Sequence, residues 1–280
     1  MTDPAPPSLG VEGGVELCCS VDGSERSYLS SQRFSPPVHL SKPYFDEETK
    51  HLLVNLSCPT AGLLEGDKMS CQITVEDGAS LVLTTPGATR AHVMRSGEAR
   101  VEQEFRVEGT GFMEFNPGTL ILQRDASLAQ RTSLEFESDS EVLFVETLLP
   151  GRLAHGESFS FREFSNLLIA RQSGKLVLRE SYQLTPGDSS VTSWQNSFPE
   201  PHYGAFYLFS PKVRDELPSR EALHGLANEN LLIGATALFR SGWLVKVLAG
   251  DAVLFKRTMD KVRASLYEDL KRPMPSFRRY

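Results

Sequence analysis

The sequence predicts a mainly β fold, a stacked-sheet, β-solenoid-like architecture with C-terminal α-helices. Three observations carry that reading. From about Val15 to Phe209, short apolar runs are punctuated by Gly, Pro, Asp and Ser at spacings of roughly 8 to 12 residues, the rhythm of strands and turns. Helical periodicity is nearly absent over the same stretch. Strand-turn-strand units also recur at intervals of roughly 30 residues, within the range of stacked repeats.

The first fourteen residues, MTDPAPPSLGVEGG, hold three prolines and three glycines and lack an apolar signal core. They read as a flexible leader, residues 1–14, ahead of one β-rich domain over 15–280. Ile73 and Val75, Asp77-Gly78, then Leu81 and Leu83 form one hairpin-like unit, because Asp-Gly accepts the positive φ of a tight turn. Val101, Phe105 and Val107 about Gly109-Thr110-Gly111 lead to Phe112, Met113 and Phe115 in a second. Leu134 and Phe136 about Ser138-Asp139-Ser140 lead to Val142, Phe144 and Val145 in a third. Each unit can bury its apolar face only against the next, which favours stacked coils over an ordinary sandwich. Leu167 to Leu178 about Ser173-Gly174 adds a further hairpin.

The C-terminal part changes character. Ser219 after Pro218 is placed to cap a short helix running to about Asn228. Leu231 to Phe239 and Trp243 to Ala249 are strand-like. Gly250-Asp251 opens a second helix in which Phe255, Met259, Val262, Leu266 and Leu270 share one face. That stripe either docks the helix on the sheet or binds a partner within helical elements of residues 215–272. The basic tail to Arg278-Arg279-Tyr280 suits a helix C-terminus.

Composition excludes several functions. The 280 residues are 40% hydrophobic and carry 29 basic against 36 acidic side chains, net -7, which disfavours a nucleic-acid surface. Mean hydropathy is -0.24, and no uninterrupted apolar run reaches the roughly 18 residues of a membrane span. Without a leader for export, Cys18, Cys19, Cys58 and Cys71 read as reduced thiols of a cytoplasmic protein, and Asn55-Leu56-Ser57 as a chance glycosylation match. His39, His51, His92, His155, His202 and His224 never fall two to five residues apart, so no local imidazole pair marks a zinc site. No nucleophile elbow, zinc-protease helix or phosphate loop occurs. Two tryptophans are too few for carbohydrate platforms.

Three glycine-containing stretches say more: Gly62-Leu63-Leu64-Glu65-Gly66-Asp67, Leu83-Thr84-Thr85-Pro86-Gly87-Ala88-Thr89-Arg90 and Gly151-Arg152-Leu153-Ala154-His155-Gly156-Glu157. With Pro43-Tyr44-Phe45-Asp46-Glu47 upstream and Gly242-Trp243-Leu244-Val245 to Gly250-Asp251 downstream, their order and spacing resemble the urease accessory protein UreD (UreH) family over roughly residues 15 to 279. The chain departs from that pattern at Leu63, where the family has a second glycine, and at Arg90, where it has lysine. It departs again at Asn116-Pro117-Gly118-Thr119, which lacks a carboxylate of the family run.

The resemblance implies a non-enzymatic chaperone that binds UreF and apo-urease, helps recruit the GTPase UreG, and assists nickel insertion, through an internal polar tunnel. It implies no permanent cofactor and only transient Ni2+. Asp67, Glu146, Glu157 and Glu180 are the candidate relay carboxylates, with Gly66, Thr85 and Arg152 as motif or tunnel-lining residues. A passing divalent ion needs successive weak oxygen partners, and a tight tetrahedral site would oppose release. Turn capping is the structural alternative for Asp67 and Glu157. A β-rich assembly scaffold with no metal role is the competing class.

Overall fold

The computed structural model describes residues 10–58, 60, 62–239 and 242–277. Its strands run in chain order β1 (Glu12–Val21), β2 (Ser27–Ser35), β3 (His39–Leu40), β4 (Tyr44–Asp46), β5 (His51–Ser57), β6 (Lys68–Val75), β7 (Ser80–Thr84), β8 (Thr89–Ala91) and β9 (Ala99–Val107). There follow β10 (Phe112–Asn116), β11 (Leu120–Leu122), β12 (Ser127–Phe136), β13 (Glu141–Leu149), β14 (Glu163–Gln172), β15 (Lys175–Leu184), β16 (His202–Phe209), β17 (Leu231–Leu238) and β18 (Gly242–Ala249). The helices are α1 (Ser189–Ser197), α2 (Arg220–His224) and α3 (Ala252–Asp269). None is long and apolar enough to cross a membrane.

Two sheets face each other. One has the order β15-β14-β12-β9-β6-β1-β2, the other β17-β18-β16-β13-β10-β7-β5-β3. Strands β1, β6, β9, β12 and β14 pair in parallel in the first, and β5, β7, β10 and β13 in the second. From β5 to β14, the short β8 and β11 aside, successive strands alternate between the sheets, so each parallel neighbour there comes from the next coil. Lys68 lies beside Arg100 and Ala99 beside Leu128, offsets of 32 and 29 residues. Ser80 beside Phe112 and Phe112 beside Glu141 repeat the same two offsets in the other sheet. The solenoid-like stack is therefore as expected.

The three repeating units are not hairpins, however, because β6 and β7, β9 and β10, and β12 and β13 lie in different sheets. A short turn between apolar strands has one sequence signature whether the strands pair or arch over a core. What fixes the arch is bonding between coils. The Asp77 carboxylate accepts from the Thr110 N–H (2.7 Å) and hydroxyl (2.9 Å) in the next coil's turn, and Glu137 accepts from the Gly109 N–H at 3.1 Å. By contrast β14 and β15 do form the expected hairpin, with Ser173 (φ 48) and Gly174 (φ 76) at its turn.

Alternation along each strand sorts its faces. In β9, Phe105 and Val107 are buried between the sheets while Arg100, Glu102, Glu104 and Arg106 are exposed. The leader reading ends earlier than expected, since Glu12–Gly14 already belong to β1, which pairs with β6. Residues 1–9 and Arg278-Arg279-Tyr280 lie outside the described residues.

α3 covers the back of the eleven-stranded sheet. Its N-cap Asp251 accepts from the Val253 and Leu254 N–H groups at 2.9 and 2.8 Å. Phe255, Val262, Leu266 and Leu270 are buried in a cluster with Val145, Phe206, Val245 and Val247, and half-buried Met259 packs against it. Of the two roles open to the stripe, docking on the sheet is the one the fold uses, and its place as a partner-binding face is taken, because the sheet beneath it is apolar on both faces. Gly204 permits the close approach: a Cβ there would meet the Met259 sulfur at 2.5 Å.

A buried ion cluster fixes the helix. Arg263 donates to Glu114 of β10 at 2.6 and 2.7 Å, and the Tyr267 hydroxyl and Asn116 amide donate to the same carboxylate. Arg263 also reaches the Pro275 carbonyl at 2.9 Å. Glu141 of β13 accepts from Ser210, Lys212 and Arg272. Burial pulls the His51 imidazole down to about 4. Its neutral ring accepts from the Ser80 hydroxyl and donates to the Pro273 carbonyl at 3.1 Å. α2 ends at His224, short of Asn228, and Ser219 does not cap it. Its N–H and hydroxyl go instead to Asp269 at the end of α3.

This packing predicts that Leu266→Ala lowers the free energy of unfolding by about 2–5 kcal/mol through a cavity. Glu114→Ala should cost about 3–5 kcal/mol by stranding a buried guanidinium. Val253→Asp, on the exposed side of the same helix, should stay within about 0.5 kcal/mol. Urea denaturation of the three variants checks this.

Candidate functional site: a cavity between the sheets

The two sheets do not fill the space they enclose. A cavity of about 560 Å³ remains between them, walled by Val15, Val101, Leu128, Phe115, Phe144 and Phe164. Its open side is bordered by exposed Cys58, Thr60, Gly87 and Arg90. Polar side chains gather away from that mouth. Gln103, Gln130 and Glu146 project into the cavity beside Tyr182 and Tyr203.

Strand register assembles this polar end. Gln130 of β12 lies beside Asn166 of β14, and Asn166 beside Tyr182 of β15. In the opposite sheet Glu146 of β13 lies beside Ala205 of β16, and Ala205 beside Lys246 of β18. Across the gap, the Asn166 amide donates to Glu146 at 3.1 and 3.3 Å, and the Gln130 amide at 3.3 Å. The Tyr207 hydroxyl sits 3.2 Å from Glu146 and 2.8 Å from Glu180, and Lys246 donates to Glu180.

Burial pushes the Glu146 carboxyl up from 4.5 to about 7. Hydrogen bonds from Asn166 and Tyr207 oppose the shift, and the Glu180 charge adds to it. Near neutrality this carboxyl is therefore divided between its protonated and charged forms. Burial, with Glu146 next, also holds the Tyr207 phenol far above its usual range, so it remains a donor.

Of the four candidate relay carboxylates the fold brings together two, Glu146 and Glu180. Asp67 and Glu157 do not line the cavity. Asp67 accepts from the Val11 and Leu64 N–H groups at 2.9 and 2.8 Å, closing a coil corner. Glu157 is held by Arg152 across its loop at 2.7 Å, and that guanidinium keeps its carboxyl below the usual range. Of Gly66, Thr85 and Arg152, only Thr85 lines the cavity; its hydroxyl accepts from the Gly118 N–H at 2.6 Å.

The family departures fit locally. Gly62 needs its hydrogen, with φ +135 and the Arg90 carbonyl 2.2 Å from where a Cβ would stand, whereas Leu63 bridges Ala91 in ordinary extended backbone. Sequence reasoning missed Gln103, Gln130, Asn166, Tyr207 and Lys246. The signal was there, since Gln130 and Asn166 are polar residues at inward positions of alternating strands. Among the described residues no three His, Cys, Asp or Glu side chains form a metal cluster.

A family model described as UreD urease accessory protein matches residues 11–279. A protein of Opitutus terrae named urease accessory protein UreD is 34% identical over 87% of this chain and 90% of its own. Proteins of the same name from Natronomonas pharaonis and Actinobacillus pleuropneumoniae are 27% and 26% identical, over 97% and 88% of this chain and 92% and 94% of theirs.

Glu146 makes stability depend on pH with a definite sign. Between pH 4.5 and about 7 the folded chain keeps a proton that the unfolded chain releases, so this group's contribution falls as pH rises through that window and is level above it. Relative to Glu146→Gln, the wild-type protein should lose about 3 kcal/mol across the window. Urea midpoints of both proteins at a series of pH values measure the difference.

Proposed function

The chain belongs to the UreD family of urease accessory proteins, and we propose that it is a non-catalytic assembly factor that passes nickel toward the active site of apo-urease through the cavity between its sheets. In this reading it works in the cytoplasm bound to UreF, and the pair engages apo-urease and helps recruit the GTPase UreG. Nickel is cargo, held transiently, and no cofactor is resident.

The observation that supports this most is the polar end of the cavity. An ion in transit needs donors strong enough to replace part of its water shell and weak enough to let it leave. Apolar walls offer no stopping point. Glu146, Gln130, Asn166 and the Tyr207 hydroxyl offer oxygen at one place. A carboxyl with its pKa raised to about 7 by burial can accept a cation by giving up its proton, and reclaim the proton when the cation moves on. UreF must contact this chain elsewhere than the α3 stripe, which is occupied by the sheet.

Activation of apo-urease with the full accessory set tests the reading. Glu146→Gln and Glu180→Gln should lower bound nickel and urea hydrolysis roughly tenfold, with UreF and urease still copurifying. Asp67→Ala and Glu157→Ala, which open coil corners, should weaken the folded chain and its complexes together. Full activation by both glutamine variants would leave an assembly scaffold without a metal role.

A further inference from the structure

Behind the polar end of the cavity, a line of hydrogen bonds continues to solvent. It runs from Glu146 through the Tyr207 hydroxyl to Glu180, and from Glu180 to Lys246. The last two residues stand on strands of different sheets. β15 ends the seven-stranded sheet and pairs with β14, and β18 lies one strand from the end of the other. The Lys246 side chain is 44% exposed and Glu180 only 16%. Lys246 is therefore the outermost group of the line, and it spans the gap from one sheet to the other.

We propose that the Lys246–Glu180 ion pair is a latch over a second opening of the cavity, so that the cavity becomes a passage when the lysine swings outward. Ala205 lies between Glu146 and Lys246 in the cross-strand row, so on that sheet a methyl group and the Tyr207 phenol stand between the cavity end and the latch. Tyr182 and Tyr203 frame the end, and Trp194 of α1 braces Tyr203 by stacking at 4.8 Å. With the lysine withdrawn, Glu180 and the Tyr207 hydroxyl remain as a polar threshold. A half-exposed ion pair made by a flexible four-carbon stem opens far more easily than the packed strands on either side. The latch deepens the reading of the cavity as a conduit, but its test contains neither nickel nor urease. Either idea can therefore fail while the other stands.

The test uses the full chain with the reporter substitution Gln130→Cys, which places a thiol at the polar end. Cys58, at the known mouth, is first blocked with a maleimide too bulky to enter. The rate of reaction of the interior thiol with a small neutral methanethiosulfonate, whose approach does not depend on the lysine charge, is then followed by peptide mass spectrometry. Adding Lys246→Ala should raise that rate roughly tenfold, the scale of one lost charge-assisted hydrogen bond, and Lys246→Arg should return it to the starting value. Cys19, fully buried and not part of the cavity lining, should stay unlabelled throughout. Equal rates in all three backgrounds overturn the latch, as does labelling of Cys19 in step with the reporter, which signals general loosening. Should Gln130→Cys fail to fold, Gln103→Cys, also in the cavity wall, carries the reporter instead.

Discussion

Parallel strands cannot be joined by a tight turn, because the chain must return to its starting end before it can pair again. Here the return path is itself a strand, in the opposite sheet. That single constraint sets the coil length, places neighbouring strands 29 to 32 residues apart across the central coils of both sheets, and obliges each turn to arch over the interior. It also leaves a space whose width depends on the side chains that happen to face inward. Where those are Phe105, Phe115 and Phe144, the rings pack at 4.9 to 5.6 Å and fill it. Beyond Phe115 and Phe144, on the side lined by Val15, Val101 and Leu128, the gap stays open as the cavity.

β13 shows how differently two carboxylates on one strand are treated. Glu141 points to the helix side and meets Lys212, Arg272 and Ser210. Glu146, five residues on and of opposite parity, points to the cavity and meets only amides and a phenol. Buried charges need cations, and Glu141 and Glu114 have them. Glu146 has none in direct contact, so burial moves its proton affinity instead. The helix side is built to stay shut. The cavity side keeps a group whose charge is negotiable.

The repeat and α3 were legible because apolar alternation and the Asp251 cap are local signals, whereas the short strands β8 and β11, which pair with each other, were not. Sheet membership was not, since Asp77-Gly78 looks the same in a hairpin and in an arch, and the deciding partner, Thr110, lies in another coil. The site was half legible. Glu146 and Glu180 came from family resemblance, and only register 34 residues apart brings them to one phenol. Asp67 and Glu157 end the first and third glycine-containing stretches yet serve as corner bonds, a distinction that rests on which way each side chain turns at a coil edge. Glu114 and Arg263 are separated by 149 residues. Glu114, a lone charge within Phe112-Met113-Glu114-Phe115, was the one sequence hint of a buried ion pair, and nothing singled out Arg263 among the charges around it.

That long separation bears on how the protein comes into being. The coils from β5 to β13 can stack as they are synthesised, each on the one before. The sheet's outer surface, with Leu53, Val82, Phe112, Leu143 and Val145, gains its first cover from Val213, Leu217 and Leu223 and the rest only when α3 has been made. Until then Glu114 is a carboxylate on an oily surface awaiting its guanidinium. A nascent chain of this design is sticky on one side for most of its time on the ribosome, and a stall between residues 150 and 210 would release a molecule with stacked coils and a naked back.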